Sequence, residues 1–271
     1  MEFFLLVFFG CFAGITTVMF GFGGGFVIVP VIYHVISATH PVNSAANQSA
    51  MHIAVATSTC VMVLNAGLAT FNQRKHKELL LPYIWPMAGY IAIGGAAGAL
   101  MAECLSGLVV RLAFVMYLAL TILDCLLRRG FLVANASSII KRLSKKFIVF
   151  GGFSIGIVAS ILGVGGSVMT VPILRRCGLE MTYAAAGANA LSLPVAISAT
   201  MAYVFIAESK EYNLGAWYLG YVNIFYFVCI VGGALLGIKL SSQWADKIPD
   251  KLHASMYVGL LIVFMMAMIV K

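Results

Sequence analysis

The hydrophobic positions fall into long unbroken runs, with the polar residues gathered between them. The first run, residues 3–20, would extend about 27 Å as a helix, close to the thickness of a bilayer core. After a glycine-rich break, residues 26–36 suffice for only about half a crossing. A polar stretch with His40, Pro41 and Asn43 leads to further runs at 45–71, 79–102 and 108–127. The order then repeats: 147–162, a short run at 168–174, then 183–206, 217–240 and 253–270. A transmembrane β-barrel would show short alternating segments, so runs of this kind predict helices.

The break recurs. Gly21-Phe22-Gly23-Gly24-Gly25, leading to Pro30, is matched half a chain later by Gly163-Val164-Gly165-Gly166-Ser167, leading to Pro172. Glycine permits positive φ and removes side chains, so the chain can turn tightly and present its N–H groups. In lipid such irregular backbone must be buried in protein or line a wet cavity. Close helix packing through small residues is the plainer use of glycine. Duplication inside interrupted apolar segments points instead to a binding site. The fourth element of each half also carries Gly-x-x-x-Gly, Gly94/Gly98 and Gly233/Gly237, which suits tight helix contact.

Composition sharpens the class. Hydrophobic residues make up 62% of the 271 positions and charged ones 10%, against about 25% charged in soluble domains. The formal charge of +8 does not signal nucleic acid, because much of the basic excess flanks the apolar runs. The six cysteines form no Cys-x-x-Cys pair, so neither a metal site nor a disulfide framework is indicated. The N-terminus lacks the basic leader of a signal peptide and is read as retained. Phosphate-loop and nucleophile-elbow motifs are absent, and the glycines follow no strand, which argues against an enzyme and against a cofactor.

The segment 128–146 carries Arg128, Arg129, Lys141, Arg142, Lys145 and Lys146 without an acidic residue. It is read as a basic cytoplasmic linker, with 131–140 lying along the interface, between a first transmembrane repeat (1–127) and a second (147–271). Asp124 precedes Arg128 by one helical turn and is expected to pair with it. If each glycine-broken pair forms a hairpin, Arg74–Lys77, the linker, Arg175, Arg176, Lys247 and Lys251 share one face. Basic loops mark the cytoplasmic face, and both termini fall outside. Each half then has a hairpin plus three spans, an odd number of crossings. The expected fold is therefore an all-α polytopic membrane protein of two inverted-topology repeats, each a Gly-loop helical hairpin plus three transmembrane helices.

A half-helix starting near the midplane offers free N–H groups and a positive dipole end, both favourable to an anion. Gly23, Gly24, Gly25, Gly165, Gly166 and Ser167 are the candidate donors. The third element of each half adds polar residues on shared helical faces: Asn47, Gln48, Ser49 and His52 in the first, Asn189 and Ser192 in the second. Interhelical hydrogen bonding is the competing use of Asn47 and Ser192. His52 is the one histidine placed well inside a span, and its residue type exchanges protons near neutral pH, making protons a candidate coupling ion.

These paired Gly-x-Gly-Gly-Gly/Ser segments, each followed by a proline and opening a half, resemble the sulfite exporter TauE/SafE family, the TSUP permeases. The likeness covers essentially the whole chain. It implies a multi-pass secondary transporter in the cytoplasmic (inner) membrane, moving a sulfur-containing anion such as sulfite or an organosulfonate. In this chain Ser167 stands where the first loop has its third consecutive glycine. The alternatives are a non-transporting scaffold whose glycines serve packing only, or an anion channel.

Overall fold

A computed structural model describes residues 2–41, 43–73, 77–127, 131, 143–208, 217–244 and 247–270. In the first half, α1 (Glu2–Phe20) and α2 (Gly25–Thr39) flank the glycine stretch. A single turn, α3 (Ala45–Gln48), precedes α4 (Ala50–Asn72), α5 (Lys77–Glu103) and α6 (Gly107–Leu127). In the second half a π-helical turn (Phe147–Gly151) runs into α7 (Gly152–Leu162), and the second glycine stretch leads to α8 (Ser167–Arg176). Then come α9 (Met181–Glu208), α10 (Ile224–Ser241) and α11 (Asp250–Ile269). Seven of the described helices are long and apolar enough to cross a bilayer. The protein is an α-helical polytopic membrane protein.

Two runs begin differently from the hydrophobic pattern. The run 45–71 is broken at Ser49, whose φ of −96° and ψ of 9° leave the helix, while the Ser44 hydroxyl caps α3 by accepting from Asn47 N at 3.2 Å. The run 217–240 opens with two short antiparallel strands, β1 (Tyr218–Leu219) and β2 (Val222–Asn223), turned at Gly220 with φ 62°. Glycine first in a two-residue turn matches the twist of paired strands. Asn223 then caps α10, its Oδ1 accepting from Tyr226 N at 3.0 Å.

The halves exchange helices. A Cβ on Gly233 or Gly237 of α10 would run into the backbone of α1 around Val7 and Cys11. One on Gly94 or Gly98 of α5 would run into the backbone of α7 at Phe153 and Ile157. Each Gly-x-x-x-Gly thus lets the first helix of the other half approach to backbone contact.

Each glycine-broken pair leaves and returns at one end of the bundle. Leu5 of α1 and Thr39 of α2 line one cavity together with Val270, at the end where α11 finishes. Ile148 and Ile173, near the outer ends of the second pair, pack on one cluster with Met87 and Ile155. The fully buried Arg175 guanidinium ties the end of α8 to Asp250 at the start of α11, at 2.8 and 2.9 Å. Asp250 also accepts from Met181 N, at the start of α9. Arg111, near the start of α6, donates instead to the carbonyl of Met268 at 2.8 Å, at the other end of α11. Asp124 pairs with Arg176 across α6 and α8, while its expected partner Arg128 lies outside the described residues. So do Arg74, Lys75, the loop 209–216 and all of the expected interfacial segment except Phe131, whose carbonyl accepts from Arg175.

Candidate functional site

Two long helices, α4 and α9, carry Met62 and Ser192 near their midpoints, and both glycine stretches come to rest against this one pair. A Cβ on Gly23 would stand 2.9 Å from Met62 Cγ and 3.6 Å from Ser192 Cβ. One on Gly165 would stand 2.5 Å from Met62 Sδ and 3.0 Å from Ser192 Oγ. The stretches also touch each other, since a Cβ on Gly25 would collide with the carbonyl oxygen of Gly163. Any side chain at these positions would hold the halves apart, which is the physical reason for glycine here.

Backbone geometry repeats with one exception. Gly21, Gly23 and Gly24 have φ of 75°, 64° and 88°, and Gly163 and Gly165 have 67° and 65°. Gly166 is different, at φ −70°. Neither α2 nor α8 receives a side-chain cap at its first turn. Two helix N-termini, with their N–H groups and positive dipole ends, therefore start close together in the middle of the bundle.

The polar side chains around them are neutral. Asn65 is fully buried one turn beyond Met62, and both its Nδ2 and Oδ1 lack a hydrogen-bond partner among the described residues. A Cβ on Gly24 would lie 2.5 Å from that Nδ2 and 3.4 Å from Thr17 Oγ1, so the amide is aimed at the first loop. Asn189 donates from Nδ2 to Thr17 O at 2.9 Å and to Gln73 Oε1 at 3.3 Å, while its buried Oδ1 has no partner among the described residues. Ser58 donates to Gly163 O at 2.9 Å, and Ser192 to Ala188 O at 2.8 Å. A buried amide with neither atom satisfied costs about 1–3 kcal/mol per group. Such a cost is expected where a ligand supplies the missing bonds.

Of the residues singled out in the sequence, Gly23, Gly24, Gly25, Gly165, Gly166, Ser167, Asn189 and Ser192 converge on this region. Ser167 is buried, its hydroxyl directed to Val164 O at 3.4 Å. Asn47, Gln48, Ser49 and His52 stand elsewhere. Asn47 donates to His40 O at 2.8 Å, and His52 Nε2 lies 3.1 Å from Leu105 O and 3.2 Å from Ala102 O. His52 occupies the first turn of α4, about 15 Å along the axis from Met62. The deeply placed imidazole is instead His253, fully buried, with Nε2 2.6 Å from Met19 O beside the first loop. Sequence reasoning also passed over Thr17, Met62, Asn65 and Gln73. Asn65 was legible, as an amide inside an apolar run; Met62 was not, because a methionine there looks like any core residue.

Two glycine-broken helix pairs meeting between long membrane helices define the protein as one of the membrane-transporter class. The family model described as sulfite exporter TauE/SafE matches residues 6–268, and the chain belongs to that family. It is similar to a probable membrane transporter protein of Haemophilus influenzae, 26% identical over 93% of this chain and 89% of the relative. A probable membrane transporter protein of Methanocaldococcus jannaschii is also 26% identical, over 90% of this chain and 88% of its own length. No solved structure matches the chain.

Proposed function

We propose that the protein is a secondary transporter that exports a small sulfur-containing oxyanion, such as sulfite or an organosulfonate, across the cytoplasmic membrane by alternating access. The observation that carries this reading is the meeting of two uncapped half-helix starts at Met62 and Ser192, beside an Asn65 amide that has no partner among the described residues. Backbone N–H groups and an amide supply donors without a fixed positive charge, so an anion is held and can also leave. The family's description names sulfite export, and the donor set suits an oxyanion of that kind.

The exchange of first helices between halves, and hairpins that open at opposite ends, support an inverted repeat with the loops as its shared centre. Of the described basic residues, Lys145, Lys146, Arg175, Arg176, Lys239, Lys247 and Lys251 lie toward the end where α11 begins, which in this reading is cytoplasmic, and Arg111 lies toward the other. In proteoliposomes, exchange of sulfite or methanesulfonate should be saturable. Asn65→Leu, which keeps the branched shape of the side chain and removes both polar atoms, should lower it more than tenfold with the protein still folded. Exchange at the wild-type rate in that variant would refute the site.

A further inference from the structure

A second polar feature lies away from the loops. Between the ends of α4 and α10 is a cavity of about 450 Å³, lined by Leu68, Asn72, Leu235, Ile238, Lys239 and Ser242. It opens at the end of the bundle that carries most of the described basic residues. Lys239 is exposed there and makes no ion pair among the described residues. The volume accommodates an oxyanion with several waters, each occupying about 30 Å³.

The floor of this cavity leads inward. Ile238 packs with Val18 and Ala69 in a small buried cluster. Gln73, the C-cap of α4 and the neighbour of Asn72 in the chain, donates from Nε2 to Val18 O at 3.1 Å and accepts from Asn189 at 3.3 Å. Asn189 in turn donates to Thr17 O, and Thr17 and Asn65 flank Gly24. A series of neutral hydrogen-bonded groups thus runs from the Val18–Ala69–Ile238 cluster, which Ile238 shares with the cavity, to the first glycine loop.

We propose that this cavity is a vestibular anion site, in which Lys239 and Asn72 hold the oxyanion before it passes the Val18–Ala69–Ile238 layer to the loops. The proposal rests on the anion-transport reading above and adds the place and charge of first capture. An exposed lysine at the mouth of a cleft raises the local concentration of anions, an effect that salt screens over about 8–10 Å. The neutral series behind it lets the anion move on, where a second fixed cation would trap it.

The test uses the full chain in proteoliposomes whose orientation is fixed by an impermeant label. Exchange of methanesulfonate, whose charge does not change with pH, is measured with substrate added at either face. Lys239→Gln should raise KM about five- to tenfold at the face where α11 begins, leave KM at the other face unchanged, and flatten the dependence on salt. Lys239→Arg should restore the wild-type values. An unchanged KM in Lys239→Gln, or an equal change at both faces, would overturn the vestibule. Asn65→Leu serves as the internal comparison. If it leaves exchange intact while the one-sided Lys239 effect persists, the reading of the loops has failed and the vestibule stands.

Discussion

The two glycine loops share a sequence pattern and a resting place, yet they are not equivalent. The first has three left-handed glycines and faces amides: Asn65 directly, and Asn189 through Thr17. The second has two, and its next residue, Gly166, already lies in right-handed helical geometry at φ −70°. Its neighbours are hydroxyls, Ser58 on the Gly163 carbonyl and Ser192 beside Gly165. The two loops share the backbone device, while the side chains around each differ. In the proposed transporter this difference would divide the work, with ligand contact at the first loop and close approach of the halves at the second.

Substitutions at matched positions break or sharpen that comparison. The largest effect is expected for Gly24→Ala, which places a Cβ at φ 88° and 2.5 Å from Asn65 Nδ2. Exchange should fall more than tenfold, since strain and a clash coincide on the proposed ligand amide. Circular dichroism and elution as a single species would show that the protein still folds. Near-normal exchange would remove the first loop from the site.

Next comes the anchor of the second hairpin. Arg175→Ala leaves Asp250 without its buried partner and should destabilise the protein by about 3–5 kcal/mol, read as a lower Tm in detergent. The first hairpin is held more lightly, through Arg111 to carbonyls of α11 and Tyr33 Oη. Arg111→Ala should cost about 1.5–3 kcal/mol, the range for hydrogen bonds from a charged donor. Equal losses in the two variants would contradict the asymmetry of the anchors.

Gly166→Ala should be mild. Its φ suits alanine, and the new Cβ would meet chiefly Ile155 Cγ2 at 2.9 Å, the end of a side chain that can shift. Exchange within about threefold of wild type is expected. A loss as deep as that of Gly24→Ala would show that the two loops are functionally equivalent after all. The smallest effect belongs to His52→Gln, whose ring meets helix-end carbonyls well away from either loop. Its exchange rate and its pH profile should match wild type.

Much of this protein was legible in its hydrophobic pattern. Runs of bilayer length have few alternatives to a helix in lipid, because every backbone group must find its partner within the segment. Glycines in a repeated register likewise mark a backbone that must turn or approach closely. Short-range exceptions were hidden, such as the break at Ser49 and the strand pair before Asn223, since local caps and turns settle them. The partners were hidden as well. The fold brings Arg176 of α8 to Asp124 of α6, a partner that no spacing in the sequence announces. Asn47, Gln48, Ser49 and His52 cluster along the chain, but α3, the break at Ser49 and the first turn of α4 hold them away from the loops. Met62, Asn65 and Lys239 gain their places only when α4 and α9 cross and α10 closes beside them. Sequence determined which segments enter the membrane and where the backbone breaks; tertiary packing decided which side chains meet there, because contacts between helices depend on rotation and height that no single run encodes.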